Sequence, residues 1–198
     1  MSAKPPADKP MYITTEDTPN QNALKFLPAR PISQEPCFFA SLQDASSSAL
    51  ARKLLAVRGV DAVFFGSDFI TVTKAQDMDW DLLKPSIFYA ISDHFLAGLE
   101  VYDGVAAPEI DLSQLTDIER QIVEVINDKV RPAVAMDGGD IVYRSFQDGI
   151  VTVRLHGACK GCPSSAITLK NGIESMLQYY VPEVIAVEAE DEEEMALN

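Results

Sequence analysis

Between residues 103 and 108 the chain reads Asp-Gly-Val-Ala-Ala-Pro and carries no apolar period of either two or 3.6 residues. On each side of that gap stands a full set of strand, hairpin and helix signals. Such a break argues against one continuous core and predicts an α+β protein of two small, sandwich-like domains. The expected boundaries are 11–98 for the first domain, 99–110 for the linker, 111–188 for the second domain and 189–198 for an acidic tail. At 198 residues the chain is long enough for two such cores.

In the first segment, Met11–Thr15 and Ala23–Leu27 read as short strands around a turn-rich Glu16–Asn20. Ser46–Ser48 offer helix caps before Leu50, Leu54 and Val57, and Gly59 is placed to stop that helix. Val60–Phe65 and Phe69–Thr73 predict a hairpin through Gly66-Ser67-Asp68, followed by a helix over Trp80–Ala97 with Gly98 behind it. In the second segment, Thr116 and Glu119 form a capping-box signature, and Pro132 is expected to end the helix they start. A turn at Asp137–Asp140 leads to a hairpin of Ile141–Arg144 and Ile150–Leu155 closed by Asp148-Gly149. Leu169, Ile173, Met176, Leu177 and Tyr180 mark an amphipathic helix, and Val184–Val187 an edge strand.

Charge narrows the functional classes. The net charge is −14, and residues 183–198 contribute seven acidic side chains and no basic one. With no basic cluster to displace counterions from phosphates, a nucleic-acid partner is excluded. The richest apolar stretch, Ala90–Leu99, is short and broken by Asp93 and His94, so no membrane span is expected. The first ten residues hold three prolines and neither an apolar nor an Arg-rich leader pattern. The expected location is cytoplasmic, or the mitochondrial matrix for a mature eukaryotic form.

The dense chemical signal is His156-Gly-Ala-Cys159-Lys-Gly-Cys162-Pro163, between a strand and a helix. Pro163 suits a first helical position, which makes Cys162 the cap, where helix amides and Lys160 favour a thiolate. Two cysteines with two residues between them can both reach one metal, and Gly157 and Gly161 let the backbone wrap around it on an exposed loop. Zinc sites, thiol redox motifs and iron–sulfur sites all use this spacing. Metal sites want four thiolates or their equivalents, and one chain offers two here. His156 and Asp137 read as plain surface groups. A symmetric dimer in which two motifs share one centre supplies the missing pair. Cys37 sits among apolar residues and reads as a buried, inert thiol. A thioredoxin-like role wants further strands and a helix after the motif, and too little chain follows. His94 and His156 lie in different domains, so no catalytic pair is evident and no enzyme is expected.

These residues resemble a family. The run from Gly157 to Ser165, with Arg131-Pro132-Ala133, Asp137-Gly138-Gly139-Asp140, Leu169–Glu174 and Val181–Val184, is similar to the Nfu-type (NifU-like C-terminal) iron–sulfur cluster carrier domain. Thr15–Asn20, Asn22–Phe26, Gly59-Val60, Phe64–Gly66 and Phe69–Val72 resemble the Nfu N-terminal domain. The resemblance implies a carrier that accepts a 4Fe–4S cluster from upstream assembly proteins and passes it to acceptor apo-proteins. It also implies Cys159 and Cys162 as the cluster ligands, one pair from each subunit of a homodimer sharing the cluster. A zinc-stapled dimeric interaction module and a thiol redox protein stand as the alternatives.

Overall fold

The structure is a computed structural model that describes residues 12–101, 114–160 and 163–190, with backbone alone for 163–169. The chain divides into two compact units, residues 1–107 and 108–198. Most of the expected linker and the acidic run beyond Glu190 lie outside the described residues.

In the first unit, alternating apolar side chains build an antiparallel sheet of β1 (Thr14–Asp17), β2 (Ala23–Leu27), β3 (Cys37–Phe39), β4 (Val60–Phe65) and β5 (Ile70–Lys74). Its order is β1-β2-β5-β4-β3. Leu24, Phe26, Val63, Phe65, Ile70 and Val72 turn one face inward, as period-two alternation requires. Helices α1 (Ala49–Leu55) and α2 (Trp80–Leu96) cover that face with Leu50, Leu54, Ile87 and Ile91. Strand β1 runs on to Asp17, past the expected end at Thr15. Glu16 lies opposite Lys25 with their charges 3.3 Å apart, and the turn begins only at Thr18, whose hydroxyl contacts the Asn20 and Ala23 carbonyls. Helix α1 ends at Leu55, a turn before Gly59. That glycine, at φ +94°, instead starts the approach to β4 and accepts the Ala75 N–H.

The second unit opens with α3 (Asp117–Val125), where the expected capping box is present in both directions between Thr116 and Glu119. Pro132 does not end this helix. The chain widens into a π-turn (Ile126–Val130) and continues as α4 (Arg131–Met136). At the junction the Arg131 N–H reaches five residues back to the Ile126 carbonyl. The wider turn re-registers the ladder just where proline offers no donor, so Pro132 becomes an early residue of a new helix.

Strands β6 (Gly139–Gln147) and β7 (Ile150–Gly157) then form a longer hairpin than expected, with a bulge between Tyr143 and Ser145. Its turn holds Asp148 at φ +51° and Gly149 at φ +82°, the doubly positive conformation that a two-residue hairpin needs. Helix α5 (Pro163–Tyr180) crosses over and returns the chain as β8 (Ala186–Ala189), parallel to β7. Ile141, Tyr143, Val151, Val153 and Val187 meet Ile122, Ile126, Val134, Ile173 and Leu177 in one core. The protein is thus α+β, with two sheets in two domains.

The two helix caps differ in what their loss exposes. The Ser48 hydroxyl is fully buried, accepts the Ala51 N–H and donates to the Val101 carbonyl at 2.6 Å, whereas Thr116 is exposed. Ser48→Ala removes a cap and leaves a buried carbonyl unmatched, and is expected to cost the first unit about 2 kcal/mol. Thr116→Ala is expected to cost the second unit about 1 kcal/mol. Urea unfolding checks both, with fluorescence of the single tryptophan, Trp80, reporting the first unit alone.

Candidate metal centre

The paired cysteines fall where β7 ends at Gly157 and before α5 begins at Pro163. Gly157 takes φ +65°, and the Lys160 N–H closes back on its carbonyl at 3.2 Å, so the backbone turns sharply at the strand end. The Ala158 N–H donates to the Gly138 carbonyl at 3.1 Å and ties this turn to the segment before β6. Gly161 and Cys162 lie outside the described residues, so only Cys159 of the pair has a described position.

Cys159 is not on an exposed loop. It is 5% exposed and belongs to the core of the second unit. The physical reason is Gly139: a Cβ built there would lie 2.5 Å from the Cys159 sulfur and 2.7 Å from the His156 carbonyl oxygen. Only a residue without a side chain lets the sulfur settle against the β6 backbone. Gly139 pairs with Gly157 and Asp140 with His156 in the β6–β7 register, so the hairpin itself sets this close approach.

An ion pair fixes the same segment from the other side. Arg131, first residue of α4, donates from Nε and Nη2 to the two carboxylate oxygens of Asp140, both at 2.8 Å, and from Nη1 to Asn127. The Asp140 side chain is only 7% exposed, so this two-pronged pair is partly desolvated and holds its geometry. Glu119 accepts a hydrogen bond from the Tyr143 hydroxyl at 2.8 Å, which connects the α3 cap to β6. The Thr116 backbone N–H and hydroxyl, with that tyrosine, hold the Glu119 carboxyl below its ordinary range. On β7, Arg154 meets Glu190 at 2.7 Å, and Arg144 reaches the same carboxylate oxygen at 3.3 Å.

His156 and Asp137 part company. Asp137 is exposed, as expected of a surface group. His156 is half-buried, and burial pushes its pKa down to about 4; Asp140 pulls it up, while Arg154, Arg144 and Lys160 push it further down. Among the described residues, no group of three His, Cys, Asp or Glu side chains could hold a metal ion. One chain therefore brings together no complete ligand set within that range. Cys37 is buried on β3, and its thiol approaches the Glu35 carbonyl at 3.3 Å. Burial pushes its pKa up, against a smaller opposing effect of Ser33, as befits an inert thiol. His94 is fully buried in the first unit.

Sequence reasoning missed the role of Gly139 and the Arg131–Asp140 clamp. The signal available was the Gly138-Gly139 pair directly before an acid, at the position where a strand must pass close to another backbone.

Comparison with known proteins adds independent findings. The family described as scaffold protein Nfu/NifU N terminal matches residues 13–98, and the NifU-like domain family matches residues 122–188. A human protein described as a mitochondrial NFU1 iron–sulfur cluster scaffold homolog is 48% identical over 185 residues, covering 90% of this chain and 71% of its own length. Proteins of the same description from Drosophila persimilis and Drosophila virilis are each 44% identical, covering 90% and 94% of this chain. This chain spans 64% of the length of each of those two relatives.

Two outcomes follow from the geometry. Gly139→Ala is expected to force the Cys159 turn outward, raising the rate at which iodoacetamide alkylates Cys159 by about tenfold as the sulfur becomes accessible. Peptide mass spectrometry of metal-free protein reads the rate residue by residue. His156 is held neutral when folded, with a pKa below the ~6.5 of an unfolded histidine, so the unfolded chain takes up its proton first as pH falls. Its contribution is complete above pH ~6.5 and is lost as pH falls toward 4. Urea midpoints at pH 7 and 5 are expected to differ less in His156→Asn than in the parent chain.

Proposed function

Since the chain belongs to the Nfu family of iron–sulfur cluster scaffold proteins, we propose that it carries a 4Fe–4S cluster as cargo between upstream assembly proteins and acceptor apo-proteins. The observation that supports this reading most directly is the Cys159 turn, a thiol at a strand-to-helix junction within the unit that matches the NifU-like domain. Cys159 and Cys162 are the proposed ligands. Each chain contributes two thiolates, and two chains close the set of four that such a cluster takes. The role involves no chemical turnover and so no catalytic residues.

The residues around the turn divide the work of holding and release. The first turn of α5 presents backbone N–H groups and the positive end of its dipole toward the ligand segment, which favours thiolate over thiol. Lys160 adds a positive charge beside it. For loading, Cys159 turns its sulfur away from Gly139 toward the cargo. Re-exposing a side chain of that size costs about 1–2 kcal/mol, a small amount beside metal–thiolate bonding. During transfer the same term acts in reverse, since a sulfur that has lost its iron regains burial in the core. An acceptor's thiolates can therefore displace the ligands one at a time.

The proposed division of labour assigns residues 111–188 to the cargo and residues 11–98 to the choice of partner, joined by a linker over 99–110 and followed by an acidic tail from 189. Among the described residues the first unit offers Cys37 as its thiol, and that thiol is buried in a core. The relatives are described as mitochondrial, which favours the mitochondrial matrix over the cytoplasm as the working compartment. No helix of the described residues is long and apolar enough to cross a membrane.

Anaerobic reconstitution with iron and sulfide tests the reading. Parent protein and Cys37→Ser are expected to turn brown and hold about two irons per chain, four shared between two subunits. Cys159→Ser and Cys162→Ser are expected to stay colourless. At low micromolar concentration the loaded form elutes as a dimer and the metal-free form as a smaller species. Four irons per chain, or a colourless protein that retains zinc, would overturn the shared-cluster reading.

A further inference from the structure

We propose that the stretch of β7 leading to the Cys159 turn, Arg154–Gly157, is a docking surface for this chain's own acidic run, Asp191–Glu194. The run itself lies outside the described residues, but the residue that begins it is already seated. Strand β8 pairs with β7 as far as Ala189 opposite Val153. One step beyond, the Glu190 N–H donates to the Val153 carbonyl at 2.8 Å, so the ladder continues past the strand end. The Glu190 carboxylate receives Arg154 from Nη2 at 2.7 Å and from Nε at 2.8 Å, and Arg144 from Nε at 3.3 Å. Both the backbone and the side chain of Glu190 are therefore fixed against β7.

Direction and charge carry the inference onward from that anchor. Because β8 is parallel to β7, a chain that continues the ladder from Glu190 heads for Gly157 and the turn. β6 holds the other side of β7 along the whole way, with Asp140 opposite His156 and Gly139 opposite Gly157. Kept in register, Glu192 falls beside His156 and Glu194 just past Gly157, a run of ~13 Å from Glu190. Period-two alternation puts both glutamates on the face of Glu190, away from the core that holds Val153 and Val187. That face is rich in cations. Arg154, Arg144 and Lys160 all act on the His156 imidazole, which places the three around one point. Of the carboxylates there, Glu190 is shared by two arginines and Asp140 is taken up by Arg131. Glu188 stands a step further from the turn, opposite Thr152.

The tether decides the occupant. Asp191 follows Glu190 directly, so its carboxylate and the three after it are held near these cations at an effective concentration on the order of millimolar. A separate acidic peptide of the same chemistry has to compete with that. The contact is electrostatic and partly exposed, so salt loosens it. Once docked, the run lays carboxylates beside the Cys159 turn and keeps anionic reagents away from that thiol. No cluster is needed for any of this, so the docking stands or falls apart from the carrier reading.

Two measurements on the full-length, metal-free chain test it. Each compares the parent with a neutral-tail variant, Asp191→Asn, Glu192→Gln, Glu193→Gln and Glu194→Gln, which keeps Glu190 and the tether but loses the charge. For the first, a nitroxide is attached at Met195→Cys in a Cys37→Ser, Cys159→Ser, Cys162→Ser background. At ~20 mM salt the acidic tail is expected to broaden the amide signals of His156 and Lys160 about threefold more than the neutral tail does, and ~0.5 M salt to remove the difference. For the second, native Cys159 is alkylated with anionic iodoacetate and with neutral iodoacetamide. The neutral tail is expected to raise the iodoacetate rate about threefold relative to the iodoacetamide rate. Equal broadening with both tails, or broadening centred on the Asp148-Gly149 end of the hairpin, overturns the proposal. A rate ratio indifferent to the tail charge overturns it equally.

Discussion

The register of β6 on β7 is the constraint from which the second unit takes its shape. It sets Gly139 opposite Gly157, so two residues without side chains face each other at the end of the hairpin, beside the turn that carries Cys159. A slip of one residue would bring a side chain into that gap and turn Ile141 and Val153 away from the core. The tight turn at Asp148-Gly149 fixes the register from one end, and the Ala158 N–H bonded to the Gly138 carbonyl closes it at the other. The sulfur's position against Gly139 is thus decided by hydrogen-bond pairing over the whole length of the hairpin, well beyond the residues beside it.

Local chemistry was legible in the sequence wherever a residue acts on its immediate neighbours. Thr116 and Glu119 cap α3 because each reaches the other's backbone three residues away, and spacing alone reveals that. The same holds for the Asp148-Gly149 turn, for Gly98 at φ +66° behind α2, and for the start of α5 at Pro163. Pro132 was misleading because its effect depends on the hydrogen-bond ladder it enters. A ladder already widened to five residues absorbs a missing donor that an ordinary α-helix would not. The burial of Cys159 was illegible for a different reason. It depends on a contact with Gly139, twenty positions earlier, and no periodic pattern encodes the absence of a side chain on a neighbouring strand.

The two units treat their thiols in opposite ways despite similar architecture. In the first, Cys37 shares the core with Phe39 and Phe65, pairs with Phe65 in the β3–β4 register, and is held more tightly to its proton by burial. In the second, Cys159 is equally shielded but lies at the end of a strand, in a turn whose neighbours are glycine and a lysine. Burial alone therefore does not distinguish the Cys37 thiol from the proposed cluster ligand; their places differ, one on a strand and the other in a turn just past a strand end.

The parallel return of β8 has a consequence for the order of events at synthesis. Ile150 pairs with Ala186 and Val153 with Ala189, so the whole of α5 and the turn before it lie inside one crossover. Strand β8 is the last described strand of the unit to leave the ribosome. Until it arrives, the β7 edge lacks its parallel neighbour, and Val187 is missing from the core that packs α5. Cys159 and Cys162 are then already translated, but the sheet beside the Cys159 turn is not closed. The nascent chain thus passes through an interval in which its thiols exist without their scaffold, and that interval ends with a strand of four residues.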